Sequence, residues 1–61
     1  MLYQSYNATY DAYGVIWHNL AEACVAVRYF SKVFHSTHCV VDYGTGEVLR
    51  IYRDGMETYH N

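Results

Sequence analysis

Residues 19 to 35, NLAEACVAVRYFSKVFH, constrain the fold more than any other stretch, because they hold the longest run of apolar residues repeating near every 3.6 positions. Asn19 followed three residues later by Glu22 has the spacing of a capping box, in which the side chains satisfy the orphan amides of a first helical turn. Leu20, Ala23, Cys24, Val27, Phe30 and Phe34 recur at three- and four-residue steps and share one side, the expected core stripe. Glu22, Arg28, Tyr29 and Lys32 fall elsewhere on the wheel. Lys32 and His35 suit the negative end of the helix dipole, and Ser36-Thr37 continue a helix poorly, so the helix is expected to end at His35.

The segment before it carries two conflicting signals. Tyr3, Tyr6, Tyr10, Tyr13 and Trp17 follow a three-four spacing that runs in register into Leu20, which taken alone reads as one long helix. Tyr, Thr, Asn and Ser form helices weakly, Tyr and Thr favour strands, Gly14 would interrupt, and Asn19 marks a start. Extended structure over residues 2–9 and 15–17, joined by a turn at Asp11 to Gly14, is the favoured reading over the long helix. After the helix, His38-Cys39-Val40-Val41 and residues 48–53 (VLRIYR) read as strands joined by the turn residues of DYGTGE. Asp54-Gly55 is a two-residue hairpin signal that would fold Met56 to His60 back as a short edge strand.

A loop of Tyr43 to Glu47 pairs Val41 with Leu49 and Cys39 with Ile51; the neighbouring register would set Asp42 against Glu47, two like charges. The chosen register directs Cys39, Val41, Leu49 and Ile51 at the helix stripe and leaves His38, Val40, Val48, Arg50, Tyr52, Glu57 and Tyr59 on the far face. The expected architecture is α+β: one central helix packed on a small antiparallel sheet, β-(β)-α-β-β with a short C-terminal edge strand, in a single unit over residues 1–61.

A chain of 61 residues buries only about 60% of its unfolded surface, so its core alone gives marginal stability. Two cysteines, Cys24 and Cys39, are too few for a disulfide scaffold; both are expected to point inward as reduced thiols, a single bridge being the alternative. Residues 1–10 lack the basic start and apolar run of a secretory signal, and no stretch of about 18 apolar residues could span a bilayer, which points to a cytoplasmic protein without a membrane partner. Asn7-Ala8-Thr9 matches the glycosylation triplet, which means little without a secretory signal.

The charge balance and the aromatic content bear on partners. A net charge of −2, with Arg28, Lys32, Arg50 and Arg53 as the only Lys and Arg residues, argues against a protein that neutralises a nucleic-acid backbone. Eight tyrosines, one tryptophan and two phenylalanines exceed what so small a core holds and point to an interface. The far sheet face is the candidate: Val40, Val48, Arg50, Tyr52 and Tyr59, with Arg beside Tyr supplying cation-π attraction.

Reactive chemistry finds little support. His35, His38 and Cys39 form an H-x-x-H-C cluster, but a closed zinc site needs a second ligand pair, and neighbouring strand residues point to opposite faces. A core-facing Cys39 lacks the exposed, positive setting of a nucleophile. Asp42, Glu47, Asp54 and Glu57 sit in or beside turns and do not converge, and the glycines of YGTGEV precede a strand instead of a helix N-terminus. No catalytic, cofactor-binding or metal-ligating residue and no cofactor is assigned, and an enzyme is not expected. The resulting expectation is a non-enzymatic, self-associating (homo-oligomeric) interaction module of accessory or regulatory kind, such as phages and mobile elements encode. The alternative is single-stranded nucleic-acid binding by tyrosine stacking.

Overall fold

The computed structural model describes residues 1–58. In chain order the elements are β1 (Tyr3–Asn7), β2 (Ala12–Trp17), α1 (Leu20–Val33), β3 (Thr37–Asp42), β4 (Val48–Arg53) and β5 (Met56–Thr58). The strands form one antiparallel sheet in the order β2-β1-β3-β4-β5 with α1 on one face, the expected α+β class.

Asn19 starts the helix as its residue type requires: its backbone is extended (φ −126°, ψ 124°) and its Oδ1 accepts the Glu22 N–H at 3.0 Å. The helix ends at Val33, two residues before the expected stop, with the Phe34 N–H still bonded to the Phe30 carbonyl and His35 in the left-handed region at φ 49°. Its buried positions are Ala23, Val27 and Ser31, whereas Phe34, assigned to the core stripe, is exposed.

The N-terminal tyrosines lie on a hairpin, because local polar contacts close a turn that a helix could not make. Asn7 Oδ1 accepts the N–H groups of Thr9 (3.0 Å) and Tyr10 (3.2 Å), Asp11 takes φ 53°, and the Tyr6 hydroxyl donates to Asp11 Oδ1 at 2.7 Å. The Tyr6 and Tyr13 rings then meet across the two strands, 4.7 Å between centroids. The turn therefore spans residues 8–11, earlier than expected, and β2 begins at Ala12 and includes Gly14. Gly14 sits in a bulge where the register against β1 shifts; its carbonyl accepts Gln4 Nε2 at 3.2 Å, and a Cβ on it would come within 2.6 Å of Ser5 Oγ.

Two expectations about β3 and β4 are overturned. Asp42 does stand opposite Glu47, its N–H donating to the Glu47 carbonyl at 2.8 Å. The like-charge objection fails because the Asp42 carboxylate turns into the loop, accepting the Gly44 N–H (2.8 Å) and Thr45 N–H (3.1 Å). A bulge then restores the pairing: Val41 faces Val48, Val40 faces Arg50, and Cys39 faces Ile51 as expected.

The helix also lies on the other side of the sheet. The buried cluster is Ala23, Val27, Val40 and Tyr52, with Tyr3, Trp17, Leu20 and Cys24 packed around it. Cys39 and Ile51 belong to the face without a helix. The two faces of β3 and β4 are nearly equal in aliphatic content, so aromatic area decides: Tyr3, Trp17 and Tyr52 gather on one side, each with roughly 150–250 Å² to bury. Cys39 and Val41 are nevertheless buried, being short side chains on the middle strand between Tyr6 and Gln4 on one flank and Ile51 on the other.

Asp54 (φ 51°) and Gly55 (φ 81°) both occupy the left-handed region, the geometry of a two-residue turn between right-twisted strands. Gly55 also ties this hairpin to α1: its N–H donates to Ser31 Oγ at 2.9 Å and its carbonyl accepts Arg28 Nε at 2.6 Å. A Cβ there would lie 3.1 Å from Lys32 Cβ. Gly55→Ala is expected to cost about 1–2 kcal/mol, seen as a fall in melting temperature of roughly 4–8 °C per kcal/mol in a domain of this size.

Candidate interaction surface

The helix is held off-centre. On the helical wheel Arg28 lies on one flank and Ala26, Phe30 and Val33 on the other; Arg28 and Ser31 are bonded to the β4–β5 turn, so the second flank looks toward β1 and β2. A helix about 10 Å wide cannot cover five strands spaced about 4.8 Å apart. The uncovered strip is β2: Val15 (52%) is exposed on the helix side, with Phe34 (61%) and Val33 (46%) on the adjoining end of α1, while Tyr13 (62%) and Ile16 (42%), opposite Tyr6 and Gln4, are exposed on the face without a helix. Between helix and strand runs a groove of about 340 Å³ lined by Ser5, Ala12, Val15, Phe30, Phe34 and His38, among others.

Charge is absent from this strip. Among residues 1–21 the one Asp, Glu, Lys or Arg is Asp11, and its carboxylate is engaged by Tyr6, whose own pKa is pushed up to about 12 by that hydrogen bond first, and by desolvation and the carboxylate charge. The four arginine and lysine side chains lie on α1 and β4, toward the opposite edge.

The residues expected to form a bare Tyr/Arg patch are not assembled as one. Val40 is wholly buried and Tyr52 nearly so, both beneath α1, where burial and the adjacent Cys24 thiol raise the Tyr52 pKa. Val48 is half-buried; Arg50 is exposed, donating from Nη1 to the Leu49 carbonyl (2.7 Å) with Nε 3.9 Å from Glu57. Tyr59 lies outside the described residues. Arg28 and Arg53 are bonded to the Gly55 carbonyl and to Thr37 Oγ1. The sequence signal for the β2 strip is the scarcity of charge over residues 1–21, where Asp11 is the one Asp, Glu, Lys or Arg residue.

The H-x-x-H-C residues diverge. His35 is exposed with Nδ1 3.8 Å from Asp54, His38 is on the helix side, and Cys39 is on the other. Among the described residues no three His, Cys, Asp or Glu side chains gather as a metal site. Cys24 beside Tyr52 and Cys39 opposite Tyr6 have the sheet between them, so the inward-facing pair expected from sequence does not form; both thiols are free. Burial pushes the Cys39 thiol up, which keeps it protonated at neutral pH. No described helix is long and apolar enough to cross a membrane.

Among the described residues His38 is the one buried histidine. Its Nδ1 is 2.8 Å from Ser36 Oγ, and its ring lies 6.0 and 6.2 Å from those of Phe30 and Phe34, so burial lowers its pKa. A folded-state pKa below the unfolded value of about 6.5 means that its stabilisation is fully present above that pH and is lost as pH falls toward the folded value. Urea midpoints measured from pH 7.5 to 5 should fall, with a slope below about 1.4 kcal/mol per pH unit from this group, and His38→Gln should flatten the profile.

No protein-family model, curated protein or solved structure matches the chain.

Proposed function

We propose that the protein is a small, non-enzymatic interaction module of accessory or regulatory kind that self-associates in the cytoplasm, and that its contact surface lies along β2 instead of on the Val40–Tyr52 face. The observation that carries this reading is an edge strand exposed on both faces, Val15 beside Phe34 on the helix side and Tyr13 and Ile16 on the other, in a region whose single charged side chain is already engaged. An apolar, uncharged strip of this kind is costly to leave in water and marks a contact site. The short chain supplies a reason for association, since a second protomer extends a core that 61 residues cannot enlarge alone. Two free thiols on opposite faces of the sheet suit a reducing compartment.

Sedimentation equilibrium from 1 µM to 500 µM, as a practical range of roughly that width for interfaces of modest size, is expected to show reversible self-association. Ile16→Lys and Phe34→Asp should each weaken it by roughly tenfold or more, the effect of about 1.4 kcal/mol. Val25→Lys, on the outer side of α1 where Val25 is 72% exposed, should leave it unchanged. A monomer throughout the range removes the basis of this reading.

A further inference from the structure

We propose, building on the self-association reading above, that the partner of β2 is β2 of a second copy, the two strands pairing antiparallel about a twofold axis between Gly14 and Val15 to join two sheets into one of ten strands. The backbone of β1 fixes which groups of β2 are free. The Ala8 N–H donates to the Thr37 carbonyl and the Tyr43 N–H to the Leu2 carbonyl, so Leu2, Gln4, Tyr6 and Ala8 turn their polar groups to β3. By alternation Tyr3, Ser5 and Asn7 turn theirs to β2.

Tyr3 pairs with Trp17 and Asn7 with Ala12, so Trp17 and Ala12 bond inward, and Tyr13 and Ile16, one step inside each, carry N–H and C=O groups that face outward. The bulge at residues 14–15 is absorbed between them: they stand opposite Tyr6 and Gln4, one regular repeat apart. The displaced Gly14 carbonyl is taken by Gln4 Nε2. What remains at the edge is a two-rung strip that is its own complement, Tyr13 opposite Ile16 of the second copy and Ile16 opposite its Tyr13.

Three further observations select a second copy as the occupant. The strand has none of the charged residues or prolines that keep edges apart, whereas β5 at the other edge carries Glu57 facing Arg50. The strip has no charge to complement, so its counterpart must be equally uncharged, and β2 itself meets that condition. Its aromatic and β-branched residues form favourable cross-strand pairs, Tyr13 on Ile16. The axis stands perpendicular to the sheet, which places both helices on one face with Val15, Phe30 and Phe34 of each copy flanking the joint. Tyr13, Val15, Ile16, Val33 and Phe34 of each copy are about half exposed; at roughly 150–250 Å² for an aromatic and less for Val and Ile, they can bury at most about 800–1,000 Å² for the pair, at the low end of specific interfaces. The dimer is therefore expected to be weak and reversible.

Amide hydrogen exchange at high and low protein concentration, with sedimentation on the same samples, tests this. Twofold pairing predicts a mass that stops at two copies and, on concentration, slowed exchange at the Tyr13 and Ile16 amides, with the β1-bonded amides of Ala12 and Trp17 unchanged. Total synthesis with an N-methyl group on Ile16, which removes an outward donor and leaves the inner ladder intact, should weaken dimerisation at least tenfold without lowering the melting temperature of the monomer. A dimer whose Tyr13 and Ile16 amides exchange as fast as in the monomer, indifferent to N-methylation, overturns the strand pairing and leaves the self-association reading standing. Open-ended growth beyond two copies also overturns the twofold pairing. A monomer at every concentration overturns both.

Discussion

Gly55 is the contact on which the layout of the molecule depends. Its N–H reaches Ser31 and its carbonyl takes Arg28, so the β4–β5 hairpin holds one flank of the helix. With the helix fixed there, the opposite flank cannot also roof β2, because one helix is narrower than five strands. The exposure of Val15 and Phe34 at the β2 edge is thus a consequence of where the helix is fastened, whereas Tyr13 and Ile16 lie on the face that has no helix. The same tether explains why Ser31 is among the buried positions of α1: the hydroxyl accepts the Gly55 N–H and donates to the Arg28 carbonyl at 2.8 Å, so a polar residue inside the stripe is satisfied twice.

Sequence reasoning reads the local parts of this design well and its sidedness badly. Asn19 and Glu22, the Asp54-Gly55 pair and the strand formed by residues 48–53 carry their structure in residue type alone, since caps, positive-φ turns and β-branched runs are decided by near neighbours. Which face of the sheet receives the helix is decided by distant neighbours. Cys39, Val41, Val48 and Ile51 make at least as apolar a set as Val40 and Tyr52; the balance is tipped by Tyr3 and Trp17, whose strand order relative to β3 no local pattern contains. The patch expected at Val40, Val48, Arg50, Tyr52 and Tyr59 fails at Val40 and Tyr52 for this reason: an excess of tyrosine is not an excess of surface when Tyr52 and part of Tyr3 fill core.

Asp42 illustrates a second way in which pattern and structure part. Counting charges across a hairpin treats carboxylates as points fixed at their Cα positions, yet a short acidic side chain at the head of a turn has two backbone amides within reach. Hydrogen bonds from those amides outweigh the repulsion between exposed like charges, which solvent screens. The register near the loop is therefore set by the Asx geometry of Asp42, and the bulge beyond it returns the strands to the pairing that their side chains favour.

The N-terminal hairpin joins both lessons to the question of association. Its three-four tyrosine spacing is compatible with a helix, but Tyr6 and Tyr13 are seven residues apart and stack across a turn because Asn7, Tyr6 and Asp11 close that turn through their side chains. Closing it uses the only charged side chain of the first 21 residues. What remains on β2 has neither the charge that repels other strands nor a covering layer, and the bulge at Gly14, which can protect an edge by twisting it, is here internally satisfied by Gln4 and leaves Tyr13 and Ile16 a regular repeat apart. An edge with two matched, outward rungs and apolar side chains on both sides of them has the hydrogen-bonding and hydrophobic requirements of a strand awaiting another strand, and among the described strands β2 itself fulfils both.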